Sequence, residues 1–143
     1  MTPARLVLCG LIAAAGCASA PASGLDHAEA GRLLSELDLS SFRNSTGPRR
    51  EPSQRTLADL GVAVTQAGGD RAEARSDSWL YALTVLARSD ANGDGEPDVS
   101  LCFEDRALNS GSYDTRTALL VQRVGGRWVA LRFEPTAECP DAL

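Results

Sequence analysis

From Trp79 onward the chain is a succession of strand-length apolar runs separated by polar or glycine-rich breaks, and this limits the fold more than any other feature. Residues 79–88 (WLYALTVLAR) are apolar on both faces, as in a central strand covered on two sides. Residues 99–105 (VSLCFED) alternate, with Val99, Leu101 and Phe103 on one face. After a polar break at 106–115 come TALLVQRV and RWVALRF, joined by Gly125-Gly126, a tight-hairpin signal. Four such consecutive strands form an antiparallel meander.

Upstream of the strands, Asp26 followed by Glu29 reads as a capping box, and Ala30, Leu33, Leu34 and Leu37 share a helical face. These residues predict a helix from about Asp26 to Leu37, packed on the sheet. Residues 40–56 are polar, contain Gly47-Pro48 and Glu51-Pro52, and carry Arg43, Arg49, Arg50 and Arg55. They read as a loop or edge strand, a solvated run or a seat for an acidic partner. Leu57 to Val64 fits a short helix or a strand, and 65–78, with Gly68-Gly69 and mixed charges, reads as loop. The expected fold is α+β: one small domain over 26–143, with an N-terminal helix on an antiparallel β-meander of about four strands.

The N-terminus is written for export. Arg5 is a short positive region, and Leu6 to Gly16 is an uncharged, mostly apolar run, shorter than the ~20 residues that span a bilayer. Residues 1–16 are read as a signal peptide and 17–25 (CASAPASGL) as a flexible tether. Ala14-Ala15-Gly16-Cys17 resembles the lipobox of bacterial lipoproteins, with Ala14 where leucine is usual. That resemblance implies a lipid on Cys17, a membrane anchor, and, with Ala18 next, sorting to the outer membrane. Cleavage near Ala18-Ser19-Ala20 or Ala20-Pro21-Ala22 is the alternative and implies a soluble periplasmic or secreted protein.

Cysteine usage agrees with an oxidising compartment. Cys9 lies in the signal segment and Cys17 is the lipid candidate, which leaves Cys102 and Cys139 as a pair. A leftover pair without C-x-x-C spacing reads as a disulfide. All 14 basic residues are arginine against 19 acidic ones, a net charge of −5. The balance argues against nucleic acid and fits a cation or a basic partner. With no lysine and a lone histidine, His27, Schiff-base chemistry is excluded and histidine-based catalysis has one residue to run through.

One motif carries chemistry. Asp90, Asn92, Asp94 and Asp98 place oxygen side chains at loop positions 1, 3, 5 and 9, with Gly95 at position 6 and the Glu96 carbonyl at position 7. Such spacing suits a hard cation that takes six to eight oxygens. The same residues also favour Asx turns, which need no metal. The loop resembles the D-x-[DN]-x-D-G calcium loops of EF-hands, dockerins and FG-GAP repeats. Its strand flanks and the Asp94-Gly95-Glu96-Pro97-Asp98 ending are closest to the FG-GAP type, and Leu101 stands where an EF-hand has its bidentate glutamate. The resemblance implies a structural Ca²⁺ ion bound at ~10⁻⁴–10⁻³ M.

Other carboxylates are scattered: Glu104-Asp105 ends a strand, and Asp114 follows a loop. Trp79, Tyr81, Phe103, Trp128 and Phe133 sit in strand patterns and read as core, whereas Tyr113 sits in a loop and reads as exposed. The expected function is a non-catalytic cell-envelope lipoprotein with a Ca²⁺-type loop, a binding or structural module. The alternatives are a periplasmic enzyme inhibitor and a small periplasmic hydrolase using paired carboxylates. A convergent cleft holding one acid of raised pKa favours the hydrolase; a flat face near Tyr113 or the arginines favours binding.

Overall fold

A computed structural model describes residues 27–42, 47–132 and 135–139. Residues 1–16, expected as a signal peptide, Cys17, residues 17–25, expected as a tether, Asp26, Arg43 and Phe133 lie outside the described residues.

The fold is mostly β, a curled seven-stranded half-barrel, and this corrects the expected α+β domain with a meander of about four strands. The elements in chain order are α1 (His27–Glu36), β1 (Leu37–Asp38), a 3₁₀ turn (Leu39–Ser41), β2 (Val64–Gly68), β3 (Arg71–Arg75), β4 (Trp79–Ser89), β5 (Asp98–Ala107), β6 (Asp114–Val124) and β7 (Arg127–Arg132). They form one sheet in the order β1-β7-β6-β5-β4-β3-β2, antiparallel except for the β1–β7 pair. Among the described residues no helix is long and apolar enough to cross a membrane.

The three strands outside the expected set have definite physical origins. β2 and β3 read VTQAG and RAEAR, rich in residues that strands usually avoid. Packing overrides that weak preference. Ala72 and Ala74 are buried, and their small side chains leave room for α1 to lie across this end of the sheet. The approach is close: a Cβ on Gly31 of α1 would meet the Ala67 Cβ at 3.2 Å. Leu37, expected as the end of the helix, instead starts β1 and pairs with Trp128 of β7. Val124 and Arg127 pair across Gly125-Gly126, whose φ angles of 57° and 81° suit a two-residue hairpin turn.

Strand alternation gives the sheet two distinct faces. On the inner face Tyr81, Leu83 and Val85 of β4 meet Val99, Leu101 and Phe103 of β5, Leu119 and Val121 of β6, and Ala130 of β7. Ala30, Leu33 and Leu34 of α1 complete this core, and burying a leucine of this kind contributes ~1.5–3 kcal/mol. On the outer face a smaller cluster joins Cys102 and Ala118 to Cys139, with Leu86 beside it. Cys102 and Cys139 form a disulfide that ties the C-terminal segment to β5.

Candidate functional site

The Asp90–Asp98 loop connects β4 to β5 and hydrogen-bonds to itself. Asp90 Oδ1 accepts from the N–H groups of Gly93 (2.6 Å) and Asp94 (3.0 Å), and its Oδ2 accepts from Gly95 (3.0 Å). Asn92 Oδ1 accepts from Asp94 N (2.9 Å), and Asp94 Oδ1 accepts from Glu96 N (2.8 Å). Asn92 Nδ2 donates to Asp94 Oδ2 at 2.8 Å. Asp98 is buried, and its Oδ2 accepts from Ala91 N and Asn92 N. The five residues are thus gathered in one turn, in which the side-chain oxygens of Asp90, Asn92 and Asp98 and the Oδ1 of Asp94 accept from backbone N–H groups. Among the described residues no group of three or more acidic, histidine or cysteine side chains is placed to hold a metal.

The carboxylates at the end of β5 separate. Successive strand residues point to opposite faces. Asp105 continues the inward series of Val99, Leu101 and Phe103, whereas Glu104 points outward. There Glu104 pairs with Arg71 at 3.1 Å and Arg106 at 3.6 Å, beside Glu73 and Arg75. Asp114 lies opposite Arg106 in register and so shares the outer face. The fold therefore does not bring Glu104 or Asp114 to Asp105.

Asp105 instead stands at the foot of an open groove of 1390 Å³. One wall is the start of β4, where the rings of Trp79 and Tyr81 lie nearly parallel, 9° apart with centroids at 6.5 Å. Tyr113 meets Trp79 edge-on at 5.4 Å. The strap 47–54 also lines the groove, with Arg49, Arg50 and Glu51 beside Pro48, Pro52 and Gln54. The strap is fixed at Gly47, whose N–H donates to Asp105 Oδ2 at 3.0 Å. Gly47 has φ +81°, and a Cβ there would meet the Phe42 ring at 3.1 Å, so the anchor needs glycine. Phe42 in turn belongs to the core and packs edge-on against Phe103 at 4.9 Å.

Electrostatics single out Asp105. It is 2% exposed, and its Oδ1 is buried without a hydrogen-bond partner. Burial pushes its carboxyl up to about 6, against the opposing hydrogen bonds from Gly47 N–H and the Tyr113 hydroxyl. Asp38 makes the contrast: equally shielded from solvent, it is also pushed up by burial, but hydrogen bonds from Arg55 and Ser40 outweigh that and hold it below the usual range. Tyr81, opposite Asp105 in register, is raised to about 12 by burial and then by the charge of Asp105.

The sequence places Trp79 and Tyr81 in the core, where Tyr81 lies and against which Trp79 packs, and offers Glu104-Asp105 only as carboxylates to pair with Asp114 or with the 90–98 loop. The available signal was the acid at an inward position of an apolar series, since a buried polar group is the informative exception. Comparison with protein-family models, with curated proteins and with solved structures finds no match. What fold and site define is therefore a class: a curled β-sheet with a groove at one end of its inner face.

Proposed function

We propose that the chain is a non-catalytic binding module of the bacterial cell envelope, anchored through a lipid on Cys17, whose ligand seats in the groove over Asp105. The observation that carries this reading is the buried, unpartnered Oδ1 of Asp105, a residue that lines the groove together with Trp79, Tyr81 and Tyr113. A buried acceptor without a partner costs ~1–3 kcal/mol, and such a cost persists where a ligand supplies the missing bond. Amide NMR spectra of the purified protein, titrated with a chemically diverse fragment library, test it. Binders are expected to shift Gly47, Gln54, the Trp79 indole and Asp105 together; hits only elsewhere, or none, overturn the groove as the seat. For the anchor, Cys17→Ser is expected to abolish metabolic labelling with an alkyne fatty acid, and a variant still labelled refutes it.

The calcium reading of the loop rests on charge. Asp90, Asp94, Glu96 and Asp98 fall within nine residues, and none forms an ion pair with a described arginine. Turning the loop's oxygens inward onto Ca²⁺ relieves that repulsion. With affinity near 10⁻³–10⁻⁴ M, millimolar Ca²⁺ is expected to raise the melting temperature by about 3–6 °C over EDTA. The rise disappears in Asp94→Ala, and identical curves for the wild type eliminate the metal.

A second reading, hydrolysis, is favoured by one observation: Asp105 is an acid of raised pKa in a cleft. It lacks the companions expected from sequence, because Glu104 and Asp114 share the other face of the sheet. Turnover of nitrophenyl glycosides that disappears in Asp105→Asn would replace the binding reading with this one.

A further inference from the structure

We infer that the groove takes the ammonium or guanidinium head of an aliphatic ligand, seated on the buried Asp105 carboxylate beside the rings of Trp79, Tyr81 and Tyr113. This inference rests on the reading of the groove as a ligand seat and names the chemistry of its occupant.

Four carboxylates are buried among the described residues: Asp38, Asp98, Glu104 and Asp105. Asp38 is paired with Arg55, and Glu104 with Arg71 and Arg106. Asp98 receives two backbone N–H groups on one oxygen. Asp105 receives the Gly47 N–H and the Tyr113 hydroxyl, and keeps a buried oxygen with no partner. No described arginine forms an ion pair with it. A desolvated anion is satisfied best by an opposite charge that also donates a hydrogen bond. The surrounding rings add to that preference, because an aromatic face attracts a cation placed over it.

The strap sets the rest of the ligand. From it Arg49 and Arg50 line the groove, with Glu51 between them and Pro52. Two guanidinium groups there disfavour a second positive charge and accept a carboxylate or other anionic group. The seat therefore selects an amine on an aliphatic stem with an anionic or neutral far end, over a polyamine. Such a head belongs equally to a free amino acid-like compound and to a basic side chain of a partner protein.

The probes are 6-aminohexanoate, its uncharged analogue hexanamide, spermidine, and a short acetylated peptide with one lysine. Binding to the purified protein is read by calorimetry and tryptophan fluorescence. Saturable binding of 6-aminohexanoate is expected, with hexanamide and spermidine at least tenfold weaker. The affinity is expected to fall about tenfold between pH 7.5 and 5, as Asp105 takes up a proton while the amine stays charged. The groups facing Asp105 are Tyr81 of β4, Tyr113, and Arg49, Arg50 and Glu51 of the strap. Loss of the pH dependence in Asp105→Asn assigns it to Asp105 among them.

Trp79→Leu, which leaves the carboxylate in place, is expected to weaken the amine several-fold. Tighter binding of the peptide than of the free amine points to a partner's side chain, and the reverse to a small molecule; either supports the inference. Equal binding of hexanamide, or amine binding unchanged in Asp105→Asn, overturns it. So does silence from both amine probes while neutral fragments fill the groove, a result that leaves the binding module standing. An absence of groove binding by every probe and fragment removes both readings.

Discussion

Asp105→Asn is expected to melt about 10 °C above the wild type at pH 7.5, with the difference closing as the pH falls to 3.5. Burial raises the Asp105 carboxyl from 3.8 to about 6 in the folded protein. A raised acid favours the folded state in its protonated form. Its contribution is therefore full below the unfolded value and is lost as the pH rises through 6. At pH 7.5 the wild type carries the whole cost of an ionised Asp105, on the order of 3 kcal/mol. Asparagine keeps the side-chain oxygen that receives the Gly47 N–H and removes the charge. In a domain of this size that free energy corresponds to ~10 °C. Calorimetric melts of both proteins from pH 3.5 to 7.5 measure it. Coincident melting at every pH would mean that the Asp105 carboxyl titrates alike in the folded and the unfolded chain, and would overturn the shift.

Reduction of the Cys102–Cys139 bond carries the other large effect. The bond closes a loop of sequence separation 37, and its sulfurs sit in the outer-face cluster, where Cys139 is fully buried. On the chain-entropy model a loop of that length stabilises by ~4 kcal/mol. A Cys102→Ala, Cys139→Ala double variant is expected to melt ~10–15 °C lower, with a steeper slope in denaturant because the unfolded chain is no longer cross-linked. Non-reducing peptide mapping checks the bond itself. A double variant that melts within ~2 °C of the wild type would assign the stability to the core alone.

How far the sequence could be read depended on side-chain size. The runs from Trp79 are long, branched and aromatic, so both their period and their turns are visible. The β2–β3 hairpin is made of alanine, glycine and charged residues, and its only local sign is the charged–small alternation Arg71-Ala72-Glu73-Ala74-Arg75 after Gly69-Asp70. What holds it as strand is the pairing of β3 with β4 and the packing of α1, which comes from elsewhere in the chain. β1 is shorter still: two residues whose strand character exists only because β7 lies beside them. The loop at 90–98 was legible as a loop of Asx turns, since those bonds are local in sequence. The groove was not, because Gly47, Trp79, Asp105 and Tyr113 meet only through the curl of the sheet. Of that site the sequence shows one trace, an acid where the inward series of β5 calls for an apolar side chain.

The β1–β7 pairing sets the order in which the molecule can assemble. Leu37 meets Trp128, and Ser41 Oγ receives the Ala130 N–H at 2.8 Å, so the first segment of the sheet has no neighbour until the last strand exists. Hairpins such as β6–β7 can form locally and early, but contacts spanning so much of the chain close late and slowly. A polypeptide emerging from its N-terminal end therefore stays open along this edge until β7 has appeared. That delay leaves the sheet incomplete, with β1 unpaired, until β7 is available to close it.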